Sequence, residues 1–533
     1  MSIRRKPGYL AFVVMTIFAL FVAACGGDSS TSVPESQSQS SDSPNQGGTL
    51  FFARNFETQS LDPMGGADNG SIFVRVQIFD TLVSADPETE PEVGPGLAKS
   101  WDVSEDGLSW TFHLRQAKFS NGDPLTAEDV KFSIERFADP TINVNIPSLG
   151  DGIIGVDILD PETVKINLDR QVGALLTNLS VFPASIVNKK LVEAEGEKHW
   201  EKPVGTGPFM LKEWVRGSHL VLERNPFFWE KGKPYLDEVR FDFVPDDNAR
   251  VLRIQSGDAD IVEGLPWAQI EQMSGQSDFK VQIDEITRYE TVFLNHTKGS
   301  LGELKVRQAL NYAVDKESIL KTVYGGAGTV ANSMIPKASF HDDNVPAYSF
   351  DLDKAKALMS ESSTPNGFAM SLVYPSGSEH LKQLVTVLQS QWAEIGVNVT
   401  LEQMDAGSLW TSRFATMEYD AAIPVPQFTS DVIVPDEVAL LFFDNNPENG
   451  MAGFLSGWKI SKKLVDLTRQ ASFTMDETLR ARLWPQVQAL AMEEAPWVPL
   501  LFLPSVHAVQ NDVRGFHVLK QGWWDLEDVW LAR

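Results

Sequence analysis

From Met370 to Leu401 the chain reads strand, helix, strand with short links, and that alternation leaves few folds open. Met370 to Tyr374 is an apolar, β-prone run, after which Leu381, Leu384, Val385, Leu388 and Trp392 recur at the spacing of one helix face. Gly396 can close the helix, and Val397, Val399 and Leu401 resume the alternation of a half-buried strand. Two neighbouring strands joined through a helix run parallel, and a parallel sheet must be covered on its faces. The expected class is therefore α/β.

The rest of the chain repeats this mixture. Trp110, Phe112 and Leu114 alternate with Thr111, His113 and Arg115 as a strand, and Asn121-Gly122 marks a turn. Thr126 stands three residues before Asp129, the capping-box spacing, and opens a helical segment that ends near Asp139-Pro140. Val306, Ala309, Leu310, Ala313 and Val314 mark a core helix, after which Asp315 can cap another. Gly205-Thr206-Gly207-Pro208 is a turn into a strand at Phe209, whose glycines serve either turn geometry or close approach to a ligand.

The start of the chain fixes a compartment. Arg4, Arg5 and Lys6 precede an apolar run from Leu10 to Ala24 broken only by Thr16, the order of a secretory leader. The run is short of the roughly 20 residues of a membrane span. Val22-Ala23-Ala24-Cys25 resembles a bacterial lipobox, which implies a signal peptide over 1–24 and acylation of Cys25; the alternative is an ordinary secretory cut beside an idle cysteine. Residues 25–46 are Ser, Gln, Pro, Asp and Gly with little to bury, the composition of a tether. Cys25 is the single cysteine, so the mature fold has no disulfide and no cysteine-based metal or redox site.

Charge and absent motifs narrow the function. The net charge of −27 argues against nucleic acid as a partner. It favours cationic solutes or serves solubility outside the cell. There is no P-loop, no His-Glu-x-x-His and no Gly-x-Ser-x-Gly, and the eight histidines never fall at ligand-pair spacing. Gly326-Ala327-Gly328 follows a helix, where a dinucleotide loop needs a strand. No catalytic residue, metal site or cofactor is assigned, and an enzyme is not expected.

From Pro91 the chain reads PEVGPGLAKSWDVSEDGLSWTFHLRQAKFSNGDPLTAEDVKFSIERF, with Leu61-Asp62-Pro63 and Phe79-Asp80-Thr81-Leu82 before it. PVGTGPFMLKEW at Pro203, LERNPFFWEKGKPYLDEVRF at Leu222, QSGDADIVEG at Gln255, LNHTKGSLGELKVRQALNYAVDKESIL at Leu294 and EEAPWVPLLF at Glu493 follow in order. These blocks resemble the family 5 extracellular solute-binding proteins of ABC importers, the oligopeptide, dipeptide and nickel binders.

The resemblance implies a two-lobed, hinged binding-protein fold of type II with an extra α/β subdomain in lobe I. Lobe I is expected over 47–86, 188–290 and 506–533, the extra subdomain over 87–187, and lobe II over 291–505. The two crossings that make the hinge are placed near Tyr289 to Thr297 and near Leu503 to Gln510. The implied function is capture of a small peptide or similar solute and delivery to an ABC permease, with permease and ATPase subunits on separate chains. A monomer is expected, lipid-anchored to the outer face of the bacterial cell membrane or periplasmic. A secreted hydrolase and a surface adhesion lipoprotein are the rival readings.

Phe428-Thr429-Ser430-Asp431 resembles the family's Trp-x-x-Asp element, whose Asp holds the ligand α-ammonium in peptide binders. The resemblance makes Asp431, Phe428, Thr429 and Ser430 the ligand-binding candidates. The alternative is that Asp431 caps a helix starting near Pro435 to Glu437. Phe428 in place of Trp keeps a stacking face and loses the indole donor. Val434-Pro435-Asp436 also departs from the family's frequent Asp-Pro-Asp.

Overall fold

A computed structural model describes residues 43–533 apart from 67, 87–92, 145, 415, 425–427 and 445–456. The leader, Cys25 and the tether up to residue 42 lie outside the described residues. The end of the expected tether is already fastened down. Asn45 Nδ2 donates to the Leu531 carbonyl at 3.0 Å and Gln46 Nε2 to that of Gly232 at 2.7 Å.

The strand-helix-strand unit forms as read. Strands Phe368–Pro375 and Val397–Met404 pair in parallel, from Phe368 opposite Val397 to Pro375 opposite Met404, across the helix Glu379–Ala393. All five residues of the apolar stripe are fully buried. This unit is one end of a 12-stranded sheet whose order continues through Ala421–Ala422, Phe279–Leu294, Trp497–Gln510, Ile261–Glu263, Thr49–Arg54, Glu238–Phe243 and His219–Arg224 to Phe209–Val215. The other sequence-level elements also hold. Ser109–Leu114 is a strand, and Thr126 with Asp129 closes a complete capping box on the helix Ala127–Ala138. The helix from Leu304 ends at Tyr312, so Ala313 is its C-cap and Val314 lies beyond it rather than inside as expected, and Asp315 then caps the next one over Lys316–Val323.

Two strands hold the middle of the sheet together. Phe279–Leu294 and Trp497–Gln510 pair antiparallel along nearly their whole lengths. Their register breaks between Asp284 and Arg288, where Glu285, Ile286 and Thr287 stand opposite Pro504. Proline brings no N–H to the ladder, and the extra residues bulge the partner strand. The break falls just ahead of Tyr289.

Core packing sorts by chain segment on either side of this pair. One cluster gathers residues from Leu50 to Ile261 with Val509 to Leu531, and a smaller one joins Ala53, Val244 to Phe279, Val506 and Ala508. The buried residues of two others all fall between Tyr289 and Leu503, with Trp267 packed against one of them. A separate four-stranded antiparallel sheet, Ala98–Val103, Ser109–Leu114, Thr163–Leu168 and Ile153–Asp160, carries the capped helix. The Gly205 turn serves packing. Gly207 N donates to the Ile78 carbonyl at 2.9 Å, and a Cβ on Gly205 would sit 2.0 Å from that oxygen.

Candidate ligand-binding site

The bulge in the central strand pair frees hydrogen-bonding groups, and they go to the loop singled out in the sequence. Thr287 N donates to the Lys520 carbonyl at 2.8 Å, Ser430 N donates to the Thr287 carbonyl at 2.9 Å, and Thr287 Oγ1 donates to the Ser430 carbonyl at 2.6 Å. Next to it, Phe428 and Thr429 form a short strand against Tyr289 and Arg288. One residue of the bulge thus ties together the central strand, the candidate loop and the C-terminal return.

Each candidate then has a definite setting. Phe428 is half-buried, its ring 5.3 Å from Tyr289 and 5.9 Å from Phe442. Thr429 is half-buried and its Oγ1 finds no partner among the described residues. Ser430 is fully buried and donates to Glu437 Oε2 at 2.8 Å. Asp431 is 6% exposed, and its carboxylate accepts no hydrogen bond from any described residue. The helix Asp436–Phe443 begins where expected, but its N-cap is Pro435 with no side-chain cap. Asp431 therefore does not cap it.

Two residues that sequence reasoning missed complete the site. Glu437, in the first turn of that helix, reaches back so that Oε2 accepts from Asp431 N at 2.7 Å and Val432 N at 3.1 Å, as well as from Ser430. It folds the loop around its own carboxylate. Arg75 comes from the helix Asn69–Ile78, far away in sequence, and is the cation whose charge reaches Asp431. Its guanidinium is fully buried, donates to the carbonyls of Asp62 at 2.5 Å, Pro63 at 3.1 Å and Gly66 at 2.6 Å, and lies 5.0 Å from the Phe182 ring. Burial pulls its pKa down to about 10 against the pull of Asp68, Asp62 and Asp431. Burial first, and then the Glu437 charge, push Asp431 well above the usual carboxylate range, with Arg75 opposing. Arg75 did leave a trace, as one cation inside the apolar run from Ile72 to Val76.

The halves of the molecule meet around this loop. Val432 and Val434 pack into the cluster otherwise built from Leu50 to Ile261 and Val509 to Leu531. Below them, Gly173 N donates to the Ser472 carbonyl at 2.9 Å and Arg170 stacks over Phe473 at 4.6 Å. Residues from both groups of core clusters thus pack together at this loop. Among the described residues one triad of carboxylates, Asp525, Glu527 and Asp528, has the spacing to hold a cation. Lys233 Nζ already sits 3.1 Å from Glu527 and 2.9 Å from Asp528.

A sheet shared between two halves through a central strand pair, with a buried polar loop where the halves meet, defines a hinged solute-binding protein. The chain belongs to the bacterial extracellular solute-binding proteins, family 5, whose model matches residues 92–450. It is 26% identical over 495 residues to the glutathione-binding protein GsiB of Escherichia coli O1:K1, a match covering 89% of this chain and 92% of that protein. Among solved structures, the ABC transporter-associated periplasmic binding protein DppA from Helicobacter pylori, in complex with the peptide STSA, superposes with a TM-score of 0.81 at 27% identity, covering 92% of this chain and 99% of that one. The binding protein AgaA from A. tumefaciens R10, in complex with agropinic acid, gives 0.80 at 27% identity, covering 91% and 99%. The type II, two-lobed fold and the solute-receptor role follow from these matches.

Proposed function

We propose that this receptor captures a small peptide or similar solute carrying an ammonium group and hands it to an ABC permease whose membrane and ATPase subunits are separate chains. Asp431 is the ammonium anchor, with Phe428 as an apolar wall and Thr429 and Ser430 as polar neighbours. The observation that carries this reading is the Asp431 carboxylate, buried where the halves meet and accepting no hydrogen bond from any described residue. A buried carboxylate without a donor is costly, and a cationic ligand repairs it with a charge-assisted bond.

The same proposal takes lobe I as 47–86, 188–290 and 506–533, the extra subdomain as 87–187 and lobe II as 291–505. Acylated Cys25 holds a monomer at the outer face of the cell membrane or in the periplasm, and the protein performs no chemistry on its solute. Native mass spectrometry of the purified protein, followed by thermal melts with each solute found, tests the reading. A ligand bound only by the native state at a hundredfold excess over Kd adds about 2.7 kcal/mol. Carried solutes that lack an ammonium group, or that leave the melting temperature where it was, contradict it.

A further inference from the structure

A buried carboxylate needs a donor, a cation or a proton. The loop Ser430 to Glu437 buries two of them in unlike surroundings. Glu437 Oε2 is met by the Ser430 hydroxyl and by the N–H groups of Asp431 and Val432, which favour its anion. Asp431 has no such donor among the described residues. The charges that reach it are those of Glu437, from the helix that follows the loop, and Arg75, from the helix Asn69–Ile78. Arg75 in turn faces Asp62 and Asp68 and commits N–H groups to three backbone carbonyls, so it acts on Asp431 by its field. Tyr289, which faces Glu437, is held as the neutral phenol by burial.

We infer that Asp431 and Glu437 make lobe closure proton-linked: the empty cleft closes with a proton on Asp431, and a ligand ammonium takes the place of that proton. The inference rests on the reading of Asp431 as the ammonium anchor. In the open state Asp431 is a solvated carboxylate. Empty closure moves one proton from solvent onto a carboxylate oxygen and forms an O–H bond, whereas closure on an ammonium takes up none. Burial raises Glu437 as well, but its three donors oppose the rise, so of the two carboxylates the proton goes to Asp431. Burial and the neighbouring charge raise Asp431 in the closed state. The closed state therefore binds more protons than the open one, and empty closure is favoured as pH falls. Its closed-to-open ratio drops about tenfold per pH unit above the ordinary carboxylate value near ~4, until the raised closed-state value is passed.

Small-angle scattering tests this on purified protein freed of solute by unfolding and refolding, over about pH 8 to about pH 5 at constant ionic strength. Wild type is expected to become more compact as pH falls. Asp431→Asn, permanently uncharged, is expected to be compact throughout and to lose the pH slope. Glu437→Gln keeps Asp431 but removes its anionic neighbour, and moves the transition to lower pH. A flat wild-type profile, or an unchanged slope in Asp431→Asn, overturns the linkage. Loss of solute affinity in Asp431→Asn with the slope intact keeps the anchor and removes the linkage. The opposite pattern keeps protonation-driven closure and removes the anchor.

Discussion

Two buried aspartates five positions apart have opposite settings. Asp436, at the start of the helix, is paired with Arg480 at 2.7 Å, both side chains 1% exposed, and Arg480 also donates to the Ala471 carbonyl at 3.2 Å. Asp431, in the loop just before it, has a carboxylate neighbour in Glu437 and no donor of its own among the described residues. The first is an ion pair closed within the chain, and it ties the helix Asp436–Phe443 to the helix Glu477–Glu494. The second is incomplete within the chain, and completion has to come from outside. Burial alone does not tell a structural charge from a binding one; the inventory of partners does.

That contrast sets the order of expected effects. Removing Arg480 leaves Asp436 buried and alone, so Arg480→Ala should lose about 3–5 kcal/mol of stability in denaturant melts. A loss under about 1 kcal/mol would dissolve the contrast, since both aspartates would then tolerate isolation. Glu437→Ala comes next. It strips an acceptor from the Ser430 hydroxyl and two loop N–H groups, and should cost about 1–3 kcal/mol with a fall in solute affinity as the loop loosens. Unchanged stability and affinity would show that the loop holds its shape without it. The smallest effect belongs to the stability of Asp431→Asn. It breaks no cap and no ion pair of Asp431, so its melt should stay within about 0.5 kcal/mol of wild type.

The same two aspartates show how far the sequence could be read. Elements whose cause is local were legible: the strand-helix-strand unit from Met370, the Thr126 capping box and the Asp315 cap each depend on residues a few positions apart. The candidate loop was legible through its likeness to a family element, and the start of the next helix through Pro435. Its chemistry was not. Arg75 reaches Asp431 from a helix some 350 residues earlier, and Glu437 turns back on its own loop, so neither leaves a spacing to recognise. The register break opposite Pro504 was equally hidden, because a bulge is a mismatch between two strands that lie far apart in the chain.

The central claim is that Asp431 holds the charge of the solute. Isothermal titration calorimetry of the solute that copurifies with the protein, run on wild type and on Asp431→Asn, tests it most directly. The asparagine keeps the shape and removes the charge, so affinity should fall by about 2–5 kcal/mol, the usual cost of leaving one charge of a buried pair alone. An affinity equal to wild type in a variant that melts like wild type would contradict the claim.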